Sequence, residues 1–238
     1  MTIENTSVAP KQFTFDSGAL AEVRFSIQAS GPADISVYFV RGDEEARVIQ
    51  VSGVTPGSEQ VVTWNGVQTS GKPAADGKYF VLVGETGGPA KTVGKVILRG
   101  HFYPVRGPHG FRGPVGDFGA ARNGGRTHEG FDVVAACGTP LVAARGGTVI
   151  TRKFDAALDG HYVIIKGRKE GRTTYRYSHL PEASPLQVGD RVRTGDPVGV
   201  VGKSGNAVSV GCHLHFELRR NGRFIDPEPH LRAWDRFS

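Results

Sequence analysis

Residues 21–27 read AEVRFSI, a segment in which apolar and polar side chains alternate with a period of two. Successive side chains of a β-strand point to opposite faces, so this alternation predicts a strand with one buried face. Comparable short apolar segments follow along the first hundred residues, at 13–15, 35–40, 48–51, 59–64, 79–83 and 95–98, with turn residues at 30–32, 55–57 and 76–77. About seven short strands with regular turns predict an immunoglobulin-like β-sandwich for residues 1–100.

The composition agrees with an all-β protein. Glycine accounts for 34 of the 238 residues, about twice its ordinary share, and glycine disfavours helices. Hydrophobic residues make up 38% of the chain and charged residues 22%, which is typical of a globular protein and excludes a disordered one. There is no apolar run of about 18 residues, so we expect no integral membrane segment.

Charge and histidine are distributed unevenly along the chain. Residues 1–100 contain nine Lys and Arg against ten Asp and Glu, whereas the remainder contains twenty against thirteen, together with all eight histidines. A basic surface favours an anionic polymer such as nucleic acid, anionic lipid or an acidic cell wall. Because the chain has neither a nucleic-acid-binding motif nor interleaved stacking aromatics, we expect no nucleic-acid partner.

This change in chemistry predicts a second domain at residues 101–238. Gly, Pro and His dominate to about residue 130 and predict long loops. Beyond them, apolar segments predict further strands, at 148–151, 162–166, 173–178, 197–201 and 213–218. A short amphipathic element at 226–234 is the one helical signal.

Three histidine-bearing segments suggest a metal site. His128 and Asp132 would lie about 13 Å apart on a straight strand, so they converge only if the chain turns, which Gly130 permits. His213 and His215 share one face of a strand and would project into one site. Imidazole and carboxylate ligands both suit zinc. Strand geometry alone leaves open whether His213 or His215 is the ligand.

A further histidine, His179, follows the predicted strand 173–178 and would lie at its end, where site residues tend to be found. The other four histidines are interpreted as ordinary surface or core residues: His101, His109, His161 and His230.

Several blocks after residue 100 resemble lysostaphin-type (LytM-like, M23 family) peptidases. They read GRTHEGFDV at 125–133, CGTPLVA at 137–143, YSHL at 177–180, VGDRVRTG at 188–195 and HLHFE at 213–217, with an FG-x-x-R element at 118–122. The resemblance implies an antiparallel β-sheet domain with a substrate groove. It also implies one Zn²⁺ per chain, held by His128, Asp132 and His215, with His179 and His213 as the catalytic histidines.

The same resemblance implies a zinc metalloendopeptidase that hydrolyses peptide cross-links of bacterial peptidoglycan. Zinc-bound water would attack the scissile carbonyl, and the two catalytic histidines would assist. We therefore expect peptidoglycan as the partner, a monomer, and a place in the cell envelope or outside the cell, although no signal peptide is visible. The bond that is cleaved (a glycine bridge or a direct cross-link) and the identity of the general base stay open.

Two other functions compete with this interpretation. Degenerate members of the family act as non-enzymatic regulators or wall-binding activators of other wall hydrolases, but they have usually lost ligands or catalytic histidines, and all five positions are filled here. The protein could instead be a structural surface protein in which the N-terminal sandwich is the functional part. Zinc content and wall-lytic activity distinguish these alternatives.

The chain departs from the family at one point. Some members place a tyrosine shortly before the first ligand histidine, where this chain reads RNGGRT at 122–127. Arg122 or Arg126 is a hypothetical replacement that stabilises the charge of the oxyanion. Glu129 is expected to face solvent rather than to act in catalysis.

Two features of the chain carry no assigned chemistry. Cys137 and Cys212 lie close in sequence to the predicted ligands and are either disulfide-bonded, which would suit an exported protein, or two small buried thiols.

Residues 64–79 read WNGVQTSGKPAADGKY and resemble the immunoglobulin-like domain of flagellar hook-capping proteins. Trp64 and Tyr79 would be core aromatics there, and the first domain, which lacks His and Cys, is interpreted as an accessory module.

Overall fold

A computed structural model describes residues 1–15 and 18–235 of the chain. The protein is 52% strand and 8% helix, which confirms the prediction of an all-β protein. It divides into two compact units, Met1–Gly100 and His101–Ser238.

The first unit contains two sheets. Its strands are β1 (Thr2–Ala9), β2 (Gln12–Thr14), β3 (Ala21–Gln28), β4 (Ala33–Arg41), β5 (Glu44–Val54), β6 (Gln60–Trp64), β7 (Gly77–Glu85) and β8 (Ala90–Arg99). One sheet has the order β1-β3-β6 and the other β2-β8-β7-β4-β5. All pairs are antiparallel except β2 and β8.

Both sheets contribute to one apolar core, as in a sandwich. Trp64 of β6 packs against Phe39 of β4 and Tyr79 of β7, with ring centroids 4.5 and 4.9 Å away. The polar ends of both predicted core aromatics are satisfied, since Trp64 Nε1 donates to the Val67 carbonyl and the Tyr79 hydroxyl donates to the Ala75 carbonyl. Each such ring buries about 150–250 Å². The likeness to hook-capping proteins stays a prediction.

Strand β1 is absent from the sequence-based prediction. Its residues are mostly exposed and polar, with a burial pattern that does not alternate over the strand. It forms by antiparallel pairing with the edge of β3. Backbone hydrogen bonds therefore determine this strand, and the side-chain pattern leaves no signal of it.

Over its described residues, 101–235, the second unit is mainly β structure with one α-helix. Its strands are β9 (His109–Phe111), β10 (Phe131–Ala135), β11 (Pro140–Val142), β12 (Gly147–Asp155), β13 (Gly160–Gly167), β14 (Thr173–Leu180), β15 (Arg191–Val192), β16 (Pro197–Val200), β17 (His213–Arg220) and β18 (Arg223–Ile225). Helix α1 (Glu228–Asp235) occupies the predicted amphipathic segment, and short 3₁₀ turns cover Pro114–Gly116, Asn123–Gly125 and Gly205–Ser209. The stretch predicted as loops up to residue 130 thus includes β9 and two of these turns.

An eight-stranded antiparallel sheet forms the body of this unit. Its order is β15-β12-β13-β14-β17-β10-β9, with β18 paired to β17, and β11 and β16 form a separate pair. Strand β17 lies in the middle of the sheet and is buried on both faces over His213–Leu218. Leu214, Phe216 and Leu218 join the apolar core. The alternate positions, His213, His215 and Glu217, therefore share the opposite face.

Cys137 and Cys212 form a disulfide bond with their Cα atoms 5.3 Å apart, which decides between the two alternatives for these residues. The bond ties the segment after β10 to the residue that precedes β17.

Within the part of the chain that the structure describes, no helix is long and apolar enough to span a membrane.

Candidate metal centre

Two neighbouring strands bring the first pair of predicted ligands together. Strands β10 and β17 are antiparallel, and Asp132 lies directly opposite His215 in their register. Directly opposed side chains point to the same face of a sheet. As a result, Asp132 Oδ1 lies 3.0 Å from His215 Nδ1, with both residues buried.

His128 reaches the same point from the loop before β10. Its Nε2 atom lies 2.8 Å from His215 Nδ1 and 3.0 Å from Asp132 Oδ1. The ring is oriented by a hydrogen bond from Nδ1 to the Asp117 carbonyl oxygen. Its backbone N–H also donates to the Ala120 carbonyl. The loop is thus anchored at both the ring and the backbone of His128.

The chain bends at Gly130, as the predicted convergence of His128 and Asp132 requires. A second reason for glycine here is lack of space. A β-carbon at Gly130 would lie 2.7 Å from the His215 ring and 2.6 Å from the Phe216 carbonyl oxygen. Only glycine therefore lets the loop pass this close to the neighbouring strand.

The three candidate ligand atoms face one another at close range. A carbonyl oxygen can only accept, so His128 donates from Nδ1 and its Nε2 carries a lone pair. His215 donates from Nε2 to Glu217 Oε1 at 3.3 Å, which leaves the lone pair on Nδ1. A single cation at the centre, either a metal ion or a proton, would satisfy all three atoms at once. Tetrahedral zinc with bonds of about 2.0–2.1 Å needs ligand atoms about 3.3 Å apart, so the observed spacing of 2.8–3.0 Å fits a metal after a small expansion.

The electrostatics of the set point the same way. Burial alone would raise the pKa of Asp132, but the adjacent His128 and His215 imidazoles outweigh burial and hold that pKa well below its usual range. Burial lowers the pKa of His215, but hydrogen bonds with Asp132 and Glu217 outweigh burial and raise that pKa to about 9. Without a metal, a proton would take the central position, so metal and proton compete for this set.

The two predicted catalytic histidines lie beside the ligand set. The ring centroids of His179 and His213 are 4.7 Å apart, and the His179 ring lies 5.9 Å from that of His215. His179, the penultimate residue of β14, has a φ of 66°, a left-handed conformation that costs energy in a residue other than glycine. All five residues singled out in the sequence therefore lie together, although their individual roles stay predictions.

Both catalytic candidates present the same ring atom for chemistry. Nδ1 of His179 donates to the Ser204 carbonyl and Nδ1 of His213 donates to the Gly211 carbonyl, each at 2.9 Å. Burial, with the positive charges of neighbouring histidines, lowers the pKa of His179 to about 3. Burial also lowers the pKa of His213, against the opposing effect of Asp132. Both rings are therefore neutral at pH 7 and carry a lone pair on Nε2.

Charged residues that sequence reasoning missed orient the ligands. Glu217 accepts the hydrogen bond from His215, and the Arg112 guanidinium binds Asp132 Oδ2 at 3.1 Å. Position 217 follows His215 by two residues, so strand alternation could have revealed Glu217. Arg112 lies in the stretch predicted as loop and gives no sequence signal.

A second group of donor atoms, from Asp159, His215 and Glu217, also lies within metal-binding range. The Arg176 guanidinium is placed between its two carboxylates, in an ion pair with Asp159 and 3.6 Å from Glu217 Oε1. This group therefore already holds a cation. The His128, Asp132 and His215 set is the one that fits a metal.

A groove opens above the ligand set. Its lining includes both catalytic candidates, the three ligands, and residues of both charges. Arg122 and Arg126 line it, and Arg122 Nη2 lies 3.9 Å from Asp132 Oδ2. Glu129 is exposed at the groove, as predicted. The suggested oxyanion role of the arginines stays a prediction.

Comparisons with known proteins agree on the second unit. Residues 126–227 match the model of Peptidase family M23. The chain is 33% identical over 161 residues to the L-Ala–D-Glu endopeptidase of Bacillus subtilis, a match covering 62% of this chain and 48% of that protein. It is 31% identical over 165 residues to the murein hydrolase activator EnvC of Escherichia coli, covering 68% and 35% respectively. The chain thus spans less than half of the length of these curated relatives.

One solved structure is similar as well. The catalytic domain of the prophage-encoded M23 protein EnpA from Enterococcus faecalis is 32% identical, with a TM-score of 0.44 over 53% of this chain and 95% of that one. The family match supports an M23-type peptidase domain in the second unit. It also implies a metal in the site.

Proposed function

From the match of residues 126–227 to Peptidase family M23, we propose that the protein is a zinc metalloendopeptidase that hydrolyses peptide cross-links of bacterial peptidoglycan. One observation carries this proposal above the others. Three buried donor atoms that a single cation would satisfy lie next to two further histidines, and all five residues line one groove. A catalytic zinc site needs three protein ligands and an open position, and this set would supply three ligands beside the groove.

His128 Nε2, Asp132 Oδ1 and His215 Nδ1 are the proposed ligands of one zinc ion. When bound, zinc supplies Lewis acidity that polarises a carbonyl and lowers the pKa of water. Arg112 holds the second oxygen of Asp132, which keeps Oδ1 turned toward the two histidines. Glu217 fixes the tautomer of His215 by accepting its Nε2 proton.

His179 and His213 are the proposed catalytic residues. Because each donates from Nδ1 to a backbone carbonyl, each can accept a proton only at Nε2. One of them takes the proton of the attacking water at Nε2. The ring protonated in this way can then donate from Nε2, to the oxyanion or to the leaving amine. Their lowered pKa values keep both in the neutral, proton-accepting form at the start of the reaction.

The proposed substrate agrees with the charge of the second unit and with its relatives. Residues after Gly100 carry twenty basic against thirteen acidic groups, which favours an anionic cell wall. The Bacillus subtilis relative is named as an L-Ala–D-Glu endopeptidase. We accordingly place the activity in the cell envelope or outside the cell, with peptidoglycan as partner, a monomeric enzyme, and the first unit as an accessory module.

The test is digestion of purified peptidoglycan of several wall types, with mass analysis of the released fragments. We expect cleavage within peptide cross-links that a chelator abolishes and zinc restores. His215→Ala should lose both zinc and activity. His213→Ala should keep one zinc per chain and lose activity by about 10²–10⁴-fold. Zinc binding by wild type without any new peptide ends would refute the enzymatic role.

The match to EnvC supports a second candidate, a non-enzymatic activator of wall hydrolases. The chain has the family's residue at all five site positions (His128, Asp132, His179, His213 and His215), so we prefer the enzyme to the activator. The two functions differ in one experiment, in which the chain is added to peptidoglycan with and without a wall amidase. An activator accelerates the amidase and releases no fragment alone, even with zinc bound.

A further inference from the structure

The loop that leads to His128 holds two arginines face to face. Ala121 and Thr127 form an isolated antiparallel bridge, and the Arg122 backbone N–H donates to the Arg126 carbonyl at 2.9 Å. The 3₁₀ turn Asn123–Gly125 closes the tip. Arg122 and Arg126 are therefore opposed residues at the neck of a small hairpin, and their side chains leave it on the same side.

Two like charges in directly opposed positions destabilise a hairpin. Arg122 Nη1 donates to the Ala121 carbonyl at 3.3 Å, and its Nη2 lies 3.9 Å from Asp132 Oδ2. Among the described residues, Asp132 is the one carboxylate within 4 Å of the Arg122 guanidinium, and it also contacts His128 and His215. Within residues 1–15 and 18–235, no carboxylate lies within 4 Å of the Arg126 guanidinium. The cluster is therefore short of negative charge.

The arginine pair lies at the place where a substrate would bind. Arg112, Arg122 and Arg126 line the same groove as the ligand set. Two hydrogen bonds hold the loop beside the ligand set. The His128 backbone N–H donates to the Ala120 carbonyl, and the His128 ring donates to the Asp117 carbonyl. The exposed Glu129 carboxylate also lines the groove, but it forms no ion pair with either arginine of the loop.

We propose that Arg122 and Arg126 bind a carboxylate of the substrate, next to the bond that is cleaved. The inference rests on the proposed peptidase function and narrows its substrate to an acidic peptide cross-link rather than a neutral glycine bridge. Two guanidinium planes at the neck of one hairpin match the planar carboxylate and can bind it through paired hydrogen bonds. The bound anion also offsets the repulsion within the pair. A glycine bridge has no side-chain carboxylate to make this contact.

The experiment uses the zinc-loaded full chain and three fluorescent probes. Two are peptides with a direct D-alanyl–diaminopimelate cross-link, identical except that one carries free side-chain carboxylates and the other carboxamides. The third has a pentaglycine bridge. Both equilibrium binding, by anisotropy, and kcat/KM are measured for wild type and for Arg126→Gln, which removes a charge without touching a ligand.

We expect wild type to bind and cleave the carboxylate probe about tenfold better than the carboxamide probe, the effect of one charge-assisted contact. Arg126→Gln should abolish this preference, and Arg126→Glu should reverse it, at unchanged zinc content. Arg193→Gln removes the same charge from an exposed turn outside the groove and should leave the preference intact.

The outcomes separate the inference from the function on which it rests. Equal binding of both cross-linked probes, or a preference that survives in Arg126→Gln, overturns the carboxylate site even if cleavage is efficient. Better cleavage of the pentaglycine probe overturns it as well. Selective binding of the carboxylate probe without cleavage of any probe supports the site and refutes the peptidase.

Discussion

Glu217 shows how far a single buried side chain controls the metal site. It is almost wholly buried and connects His215 to Arg176 and Arg219. Burial raises the pKa of Glu217, but the hydrogen bond with His215 and the nearby arginines keep it below its usual range. The residue is therefore an anion that orients His215 and increases the basicity of its Nδ1 atom.

We expect Glu217→Ala to weaken zinc binding by about 10–100-fold, because His215 loses its acceptor and its fixed tautomer. Glu217→Gln keeps an acceptor oxygen and should lose less. Zinc affinity is measured by competition with a chromophoric chelator. Arg219→Gln, which removes the exposed partner of Glu217, is the matched control. Equal zinc affinity in Glu217→Ala and wild type would show that His215 does not depend on this contact.

The role of a residue in the site could be predicted from the sequence only where strand alternation or a family motif indicated it. His213 and His215 have a spacing that fixes their common face, and the resemblance to M23 peptidases was needed to choose between them as ligand. Arg112 was not predictable, because its contact with Asp132 joins an irregular loop to a strand twenty residues later. No local periodicity records such a contact.

At the scale of elements, β3 and β17 could both be predicted, because apolar residues at alternate positions in each strand mark its buried face. Strand β1 and the edge strand β9 escaped prediction because pairing with a neighbour forms them rather than side-chain burial. The same distinction applies to the loop before β10. Its glycine suggested a turn, while the close approach of the His215 ring became visible only once β17 was placed beside it.

Gly130→Ala tests that close approach. The new methyl group would lie within 3 Å of the His215 ring and of backbone in β17, so either the loop or the ring must move. We expect a loss of about 1–3 kcal/mol in unfolding free energy and weaker zinc binding, both measured by urea denaturation with and without zinc. Gly110→Ala is the control, because a β-carbon there meets no atom within 4 Å. Similar behaviour of the two variants would contradict the packing argument.

At the scale of the whole molecule, the disulfide acts on one unit alone. Cys137 and Cys212 are separated by 75 residues and both belong to the second unit. Closing a loop of this length reduces the entropy of the unfolded chain and stabilises the fold by about 4 kcal/mol. We expect reductant to lower the urea midpoint of the second unit by a corresponding amount. Intrinsic fluorescence of Trp64 and Trp234, read in single-tryptophan variants, follows the two units separately, and an equal shift at Trp64 would contradict the assignment.

The stability of the zinc-free protein should depend on pH in a way that the ligand set determines. His215 has a raised pKa of about 9, so its contribution is complete below its ordinary value of about 6.5 and is lost as pH rises toward 9. His179, with a lowered pKa of about 3, and His213, also lowered, contribute above about pH 6.5. Their contribution falls as the solution becomes more acidic. The Asp132 carboxylate, whose pKa is lowered, contributes above its ordinary value of about 3.9 and loses its contribution below it.

The contribution of His215 to stability decreases as pH rises, whereas those of His179, His213 and Asp132 decrease as pH falls. The second unit treated with chelator should therefore be most stable near pH 6.5. Zinc binds the deprotonated ligands, so the added stability from zinc should grow between pH 6 and pH 9, in which range the proton leaves His215. Urea midpoints at half-unit pH intervals, with zinc and with chelator, provide the measurement. His215→Gln removes the central proton and most of the zinc effect, so its zinc-free midpoint should no longer decline above pH 6.5. A wild-type midpoint that stays level from pH 6.5 to 9 with chelator would mean that the pKa of His215 is not raised in the zinc-free protein. The electrostatic argument for a cation at the centre of the ligand set would then fail.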